Sequence, residues 1–146
     1  MKTLLTLIAL TFSLQALPCE NSAKLLPYVQ VQLKKQMATT EDVKNILGCV
    51  LTDPDYQKVE MSQWLSEVVY DMAIHQPLEM SIVANVIDYE SMASVVKMLE
   101  EPINDGIDLK SALFNVLQVR FLADDSAYQE TKMEIANAIY AAVLKQ

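Results

Sequence analysis

The scarcity of glycine constrains the fold more than any other feature of this sequence. Among 146 residues there are only two glycines, Gly48 and Gly106, together with five prolines, and 52% of the residues are hydrophobic. Folds of many short strands need frequent tight turns, for which glycine is the usual residue, and disordered chains contain fewer apolar residues. The chain is instead rich in alanine, leucine, methionine, glutamate, lysine and glutamine, which favour helices. The sequence therefore predicts an all-α fold.

Capping residues and prolines divide the chain into six or seven short helices. Predicted helix starts lie at Thr39 or Thr40, at Asp53 with Pro54, at Pro77 and at Asp108. Apolar residues recur at helical spacing after each of them. The segment 23–37 alternates partly like a strand, but no second strand is available to pair with it, so we predict a helix there too. Because the linkers are short, neighbouring helices should pack antiparallel in one domain over residues 17–146.

Three other helix boundaries are predicted less directly. The stretch DYES (88–91) should bend or split the helix that begins at Pro77, and Pro102 should end the segment that follows. In the last helix, Ser126 and Gln129 have the spacing of a capping box. NDGID (104–108) is the one obvious loop.

Two pairs of similar segments suggest a duplicated helical hairpin. DVKNILGCVL (42–51) aligns with DLKSALFNVL (108–117), and YQKVEM (56–61) aligns with YQETKM (128–133). The order of the matches predicts an internal repeat of residues 41–70 and 107–140. The alternative is a chance likeness between amphipathic helices that begin with aspartate.

Residues 1–16 have the pattern of a secretory signal peptide. Lys2 precedes an apolar run from Leu4 to Phe12, and small or polar residues follow up to Ala16, where we expect cleavage. The apolar run is about half as long as the roughly 20 residues of a membrane span. Residues 16–18 also depart from the pattern that precedes a lipidated bacterial cysteine. We therefore expect a periplasmic or secreted protein without a stable membrane anchor.

The chain has two cysteines, Cys19 and Cys49. Exported proteins with two cysteines usually pair them. A disulfide that closes a loop of about 30 residues should stabilise the fold by roughly 3–4 kcal/mol. We predict this bond; the alternative is that Cys49 is a small buried apolar residue and Cys19 a free thiol.

The protein is strongly acidic, with a formal net charge of −8. Cleavage after Ala16 would remove Lys2 and leave ten basic against nineteen acidic side chains. Like charge repels such a protein from nucleic acids and anionic lipids and attracts it to basic partners. Net charge also keeps small domains soluble, which is the alternative explanation.

The sequence contains no catalytic or cofactor signature. It has a single histidine, no glycine-rich phosphate loop and no CxxC pair. Glu67, Asp71 and His75 are spaced by four residues, as helical metal ligands can be, but the same spacing is typical of a solvated helix face. We predict no enzyme, no metal site and no cofactor.

Two acidic clusters are the candidate partner-binding residues. One lies on the predicted third helix beside the only tryptophan, where an aromatic next to charge can anchor an interface. The other lies at the one clear loop, where binding residues often occur. Together they comprise Glu60, Trp64, Glu67, Asp71, Glu100, Glu101, Asp105 and Asp108. Trp64 could also be a core residue.

These features predict an exported, non-enzymatic protein that binds a basic protein, as a small acidic inhibitor or immunity protein does. This comparison rests on size, charge, export and helical content rather than on a motif. The alternative function is a helical carrier of an apolar small molecule or lipid. Its interior would be lined by valines and by some of the eight methionines, which otherwise fill the core.

Overall fold

Seven α-helices make up most of residues 22–50, 59–122 and 125–146, which are the residues that the computed structural model describes. The helices are α1 (Ser22–Lys34), α2 (Thr40–Asn45), α3 (Val59–His75), α4 (Pro77–Ala84), α5 (Tyr89–Glu100), α6 (Leu109–Gln118) and α7 (Ser126–Lys145). These residues include no β-strand, and the prediction of an all-α single-domain bundle is confirmed. The ambiguous segment 23–37 is helical as far as Lys34.

Side-chain caps start several of the helices where the sequence predicted them. Thr39 and Asp42 form a capping box at α2, with the Asp42 amide 3.1 Å from Thr39 Oγ1 and the Thr39 amide 2.8 Å from Asp42 Oδ2. Asp108 caps α6 by accepting the Ser111 amide at 3.0 Å. Pro77 is at the first turn of α4, where its missing N–H costs no hydrogen bond.

Of two further predicted boundaries, one is confirmed and one is wrong. The helix that begins at Pro77 ends at Ala84, and Asp88 in the predicted break accepts the Ser91 amide at 2.9 Å and starts α5 as a separate helix. The predicted capping box of Ser126 and Gln129 is wrong. Asp125 is the N-cap of α7 and accepts the Ala127 amide at 3.0 Å, which makes Ser126 the first helical residue.

Several predictions concern residues outside the described ranges. They are the signal peptide at residues 1–16, the cap formed by Asp53 with Pro54, and Cys19. Cys49 lies in a π-helical segment, Ile46–Val50, which continues α2. The Cys19–Cys49 disulfide therefore stays a prediction.

Helix α3 lies at the centre of the bundle and contacts α1, α4, α5 and α6. Its apolar residues at helical spacing face inward: Leu65, Val68 and Met72 are buried, and Met61 packs against the core at its edge. Helix α7 closes the other side against α4, α5 and α6.

Most methionines fill the core. Met72, Met80 and Met92 are buried, and Met98 packs against the core, whereas Met133 is 43% exposed.

The side chain of Gln76 connects two chain reversals inside the bundle. Its Oε1 accepts the Ala38 amide at 2.9 Å, and its Nε2 donates to the Ala38 carbonyl at 2.9 Å. Gln76 is only 5% exposed, so water does not replace these bonds. The linker between α1 and α2 is thereby held against the break between α3 and α4.

The two segments of the predicted repeat differ in local structure. Asp42 is the third residue of its helix and completes a capping box, whereas the aligned Asp108 is itself the N-cap. The residue that aligns with Cys49 is Asn115, whose Nδ2 donates to the Ile74 carbonyl at 2.7 Å. The duplication stays a prediction.

Candidate functional site: an acidic cleft

The candidate site begins with polar side chains on two facing helices. Glu67 and Asp71 are four residues apart on α3, and Gln30 and Lys34 are four residues apart on α1, so each pair lies on one helix face. Because α1 packs against α3, the two pairs meet at the surface.

A chain of hydrogen bonds joins Trp64 to Asp71 through α1. Trp64 Nε1 donates to Gln30 Oε1 at 3.0 Å, and Gln30 Nε2 donates to Asp71 Oδ2 at 3.0 Å. Asp71 Oδ2 also lies 3.8 Å from Lys34 Nζ, and Asp71 Oδ1 lies 4.0 Å from His75 Nε2. Both contacts are long, and the Lys34 side chain is 57% exposed, so they neutralise the carboxylate only weakly.

The loop between α5 and α6 forms the opposite side. Asn104 Nδ2 donates to Glu67 Oε1 at 2.6 Å, while Asn104 Oδ1 accepts the Gly106 amide at 2.9 Å. Asn104 thus holds its own turn in shape and fastens it to α3. The same loop ends at Asp108, which brings one residue of the second acidic cluster close to Glu67 and Asp71.

A surface cavity of about 280 Å³ lies between these elements. The residues that line it are Gln30, Lys34, Glu67, Tyr70, Asp71, Ile74, Asn104, Gly106, Ile107 and Asp108. Three carboxylates and one ammonium group border the cavity, so it carries net negative charge and favours cations. We call it the acidic cleft.

Two titratable groups of the cleft have shifted pKa values. Burial raises the pKa of Tyr70 well above its usual value of about 10; its hydroxyl donates to the Leu99 carbonyl at 2.5 Å. The Ser111 hydroxyl, and then the Ser111 amide, lower the pKa of Asp108. Near neutral pH, the Tyr70 side chain that lines the cleft is therefore uncharged, and the Asp108 side chain is ionised.

The structure brings together only part of the predicted partner-binding set. Glu67, Asp71 and Asp108 line the acidic cleft. Trp64 does not line it but donates a hydrogen bond to Gln30, which does. Trp64 is half-buried and packs against the edge of the core.

Of the other four predicted residues, Glu100, Glu101 and Asp105 are not among those that line the cleft. Asp105 and Glu101 are exposed. Glu100 is half-buried, and its main-chain carbonyl accepts Lys145 Nζ at 3.2 Å. Glu60 belongs to α3, but its side chain lies outside the described part of the structure.

Gln30, Lys34 and Asn104 were not predicted from the sequence as site residues. The spacing of Gln30 and Lys34 marks a polar stripe on α1, which is a weak signal. Asn104 before Asp105 and Gly106 indicates a turn, but its bond to Glu67 joins residues 37 positions apart. No local pattern predicts that contact.

Among the described residues, no group of three histidine, cysteine, aspartate or glutamate side chains is placed to hold a metal ion. None of the helices found there is long and apolar enough to cross a membrane. No protein-family model, curated protein or solved structure matches the chain. The class is therefore defined by architecture alone: an all-α bundle with an acidic cleft at its surface.

Proposed function

We propose that this protein is a non-enzymatic binding protein that recognises a basic protein through the acidic cleft. The observation that supports this function is the convergence of Glu67 and Asp71 with the Asn104–Asp108 loop around one cavity. From the sequence, Glu67 and Asp71 were predicted in one acidic cluster and Asp108 in another.

The carboxylates of the cleft have capacity for further hydrogen bonds. Glu67 accepts one from Asn104 and Asp71 one from Gln30, whereas an ionised carboxylate can accept about four. The planar guanidinium of arginine donates two parallel bonds to such a group, and these charge-assisted bonds are stronger than neutral ones. A partner arginine is the side chain that matches the cleft best.

The size of the cleft suits one long side chain rather than a helix or a loop. Its volume of about 280 Å³ lies just below the range of roughly 300–1,000 Å³ for ordinary ligand pockets. A stable complex buries about 800 Å² on each partner, so the contact must extend beyond the cleft. Exposed Glu101 and Asp105 on the neighbouring loop would then attract a basic surface and raise its association rate.

Export and the disulfide belong to the same proposal. A signal peptide at residues 1–16 would place the protein in the periplasm or outside the cell, where a Cys19–Cys49 bond would persist. Intact mass after alkylation without reductant tests the bond: no thiol should be modified. Two modified thiols would refute it.

The test uses Trp64, the only tryptophan of the chain, as a reporter. A guanidinium bound at Asp71 perturbs Gln30 and thereby the environment of the indole. Tryptophan emission is followed while a nonaarginine peptide is titrated into the purified protein at low and at moderate salt. We expect saturable binding that weakens as salt rises.

A matched pair of double variants separates the cleft from general charge. Glu67→Gln with Asp71→Asn keeps the shapes of both side chains, and Glu130→Gln with Glu134→Gln removes the same charge from exposed positions of α7. The cleft variant should weaken binding about tenfold or more, and the α7 variant much less. Equal losses would show that net charge, and not the cleft, governs binding.

A further inference from the structure

A second surface cavity, on a different part of the bundle, is lined mainly by apolar side chains. It has a volume of about 290 Å³ and is bordered by Leu78, Ile82, Arg120, Phe121, Leu122 and Tyr128. We call it the apolar groove. It lies between α4, the turn after α6 and the first turn of α7, and it shares no lining residue with the acidic cleft.

The groove presents apolar surface to solvent. Leu78 is 39% exposed and Leu122 is fully exposed, while the rings of Phe121 and Tyr128 pack with their centroids 5.3 Å apart. An aromatic pair beside aliphatic side chains makes a rigid apolar wall. Apolar patches with a polar rim are typical of ligand or partner sites.

One cationic side chain, Arg120, borders the groove. Arg120 is the only arginine of the chain. It is exposed, and within the described part of the chain it forms no ion pair or hydrogen bond. Lys132 Nζ donates to the Val119 carbonyl at 3.3 Å, which places a second cation at the same turn. The border of the apolar groove thus carries a guanidinium that is unpaired within the described residues, in a protein whose net charge is −8.

We infer that the apolar groove binds a single-chain amphiphile with a carboxylate head, that is, a medium-chain fatty acid. The tail lies on Leu78, Ile82 and Phe121, and the carboxylate accepts hydrogen bonds from the Arg120 guanidinium. The volume, at the low end for small-molecule sites, suits one short chain. A groove of this volume accommodates one tail, so the ligand we propose is the dissolved monomer and not a bilayer surface.

Sodium decanoate, kept below its micelle-forming concentration, is the probe. Isothermal titration calorimetry of the purified protein should show one site per chain. Decan-1-ol, which has the same tail without the charge, should bind about tenfold more weakly. Failure of this site would leave the acidic cleft untouched, since the two share no residue.

Two variants and one control test the assignment. Arg120→Gln should weaken decanoate binding about tenfold and leave decan-1-ol binding unchanged. Leu78→Gln should weaken both ligands. Lys110→Gln removes one positive charge from an exposed position of α6 outside the lining and should change neither. Arg120 and Leu78 are both exposed, so circular dichroism should show an unaltered fold.

Three results would overturn the inference. The first is the lack of saturable decanoate binding to the unaltered protein. The second is equal decanoate affinity of the Arg120→Gln and Lys110→Gln proteins. The third is stronger binding to phosphatidylglycerol vesicles than to decanoate, which would make the groove a membrane contact.

Discussion

Replacing Gln76 by glutamate should make the stability of the protein depend on pH in a specific way. The Gln76 amide both accepts from and donates to the backbone of Ala38, with both distances 2.9 Å, at a position 5% exposed. A carboxylate can still accept the Ala38 amide but has no proton for the Ala38 carbonyl. It therefore places a buried negative charge against a carbonyl oxygen.

The size of the effect follows from the two bonds. A buried group without its partner costs about 1–3 kcal/mol, and a buried charge with incomplete pairing adds to this. We expect Gln76→Glu to lower the free energy of unfolding by about 2–4 kcal/mol at neutral pH. Gln76→Ala leaves both Ala38 groups unpaired and should be destabilised at every pH.

Acid should restore the glutamate variant. A protonated carboxyl has one donor and one acceptor, so it can replace the amide, and the folded protein should bind this proton more tightly than the unfolded chain does. The pKa of the introduced group is then higher in the folded protein than its unfolded value of about 4.3. The restored stability is present below about pH 4.3 and is lost as the pH rises through the folded-state pKa.

Urea unfolding at several pH values between 4 and 7, followed by circular dichroism, measures this effect. Each variant is compared with the unaltered protein at the same pH, because other carboxylates also titrate in this range. Gln118→Glu, at an exposed position, is the control and should lose less than about 1 kcal/mol at neutral pH, the cost of a carboxylate at the C-terminal end of α6. A deficit of Gln76→Glu that is equal at pH 4 and pH 7 would refute the paired bridge to Ala38.

Substitutions at three further residues test single groups, each by urea unfolding. Tyr70→Phe removes the hydroxyl that donates to Leu99 and should cost about 1–2 kcal/mol. Burial raises the pKa of Tyr70, so the stability that its protonated form contributes is complete below about pH 10 and is lost at higher pH. The Tyr70→Phe protein should not show this loss. Ser66→Ala removes a fully buried hydroxyl that has no hydrogen-bond partner in the described structure and should raise stability by up to about 1 kcal/mol; a less stable variant would contradict this. Asp108→Ala should unfold at lower urea than Asp108→Asn, which keeps the α6 cap. Since Ser111 lowers the pKa of Asp108, this cap contributes fully above about pH 4 and is lost as the pH falls further; equal midpoints of the two variants would contradict the cap.

Local signals in the sequence were sufficient for most helix boundaries. Thr39, Pro77 and Asp108 begin helices as predicted, since a cap or a proline acts within one turn of the chain. The one wrong cap, Ser126, differs from the true N-cap by a single residue, and Asp125 is an equally good capping residue by type.

Contacts between distant segments were not predictable in the same way. Gln76 directly precedes the predicted helix start at Pro77. Its hydrogen bonds are to Ala38, which is 38 residues away, so the sequence around Gln76 does not predict them. The π-helical turn at Ile46–Val50 has no counterpart in a 3.6-residue pattern either. The acidic residues were evident in the sequence. That Glu67, Asp71 and Asp108 share one cleft depends on the packing of the Asn104 turn against Glu67, which the sequence does not show.

The acidic cleft and the apolar groove differ in the way that salt should affect them. If net charge alone governed binding, every anion would bind weakly and every cation would bind tightly over the whole surface. Capture of an arginine by carboxylates is mainly electrostatic and is screened at moderate ionic strength. Burial of an acyl tail is not screened in this way, although its head-group contact with Arg120 is. A salt titration with both probes should therefore weaken nonaarginine binding steeply and decanoate binding slightly, and parallel curves would mean that one general electrostatic effect accounts for both.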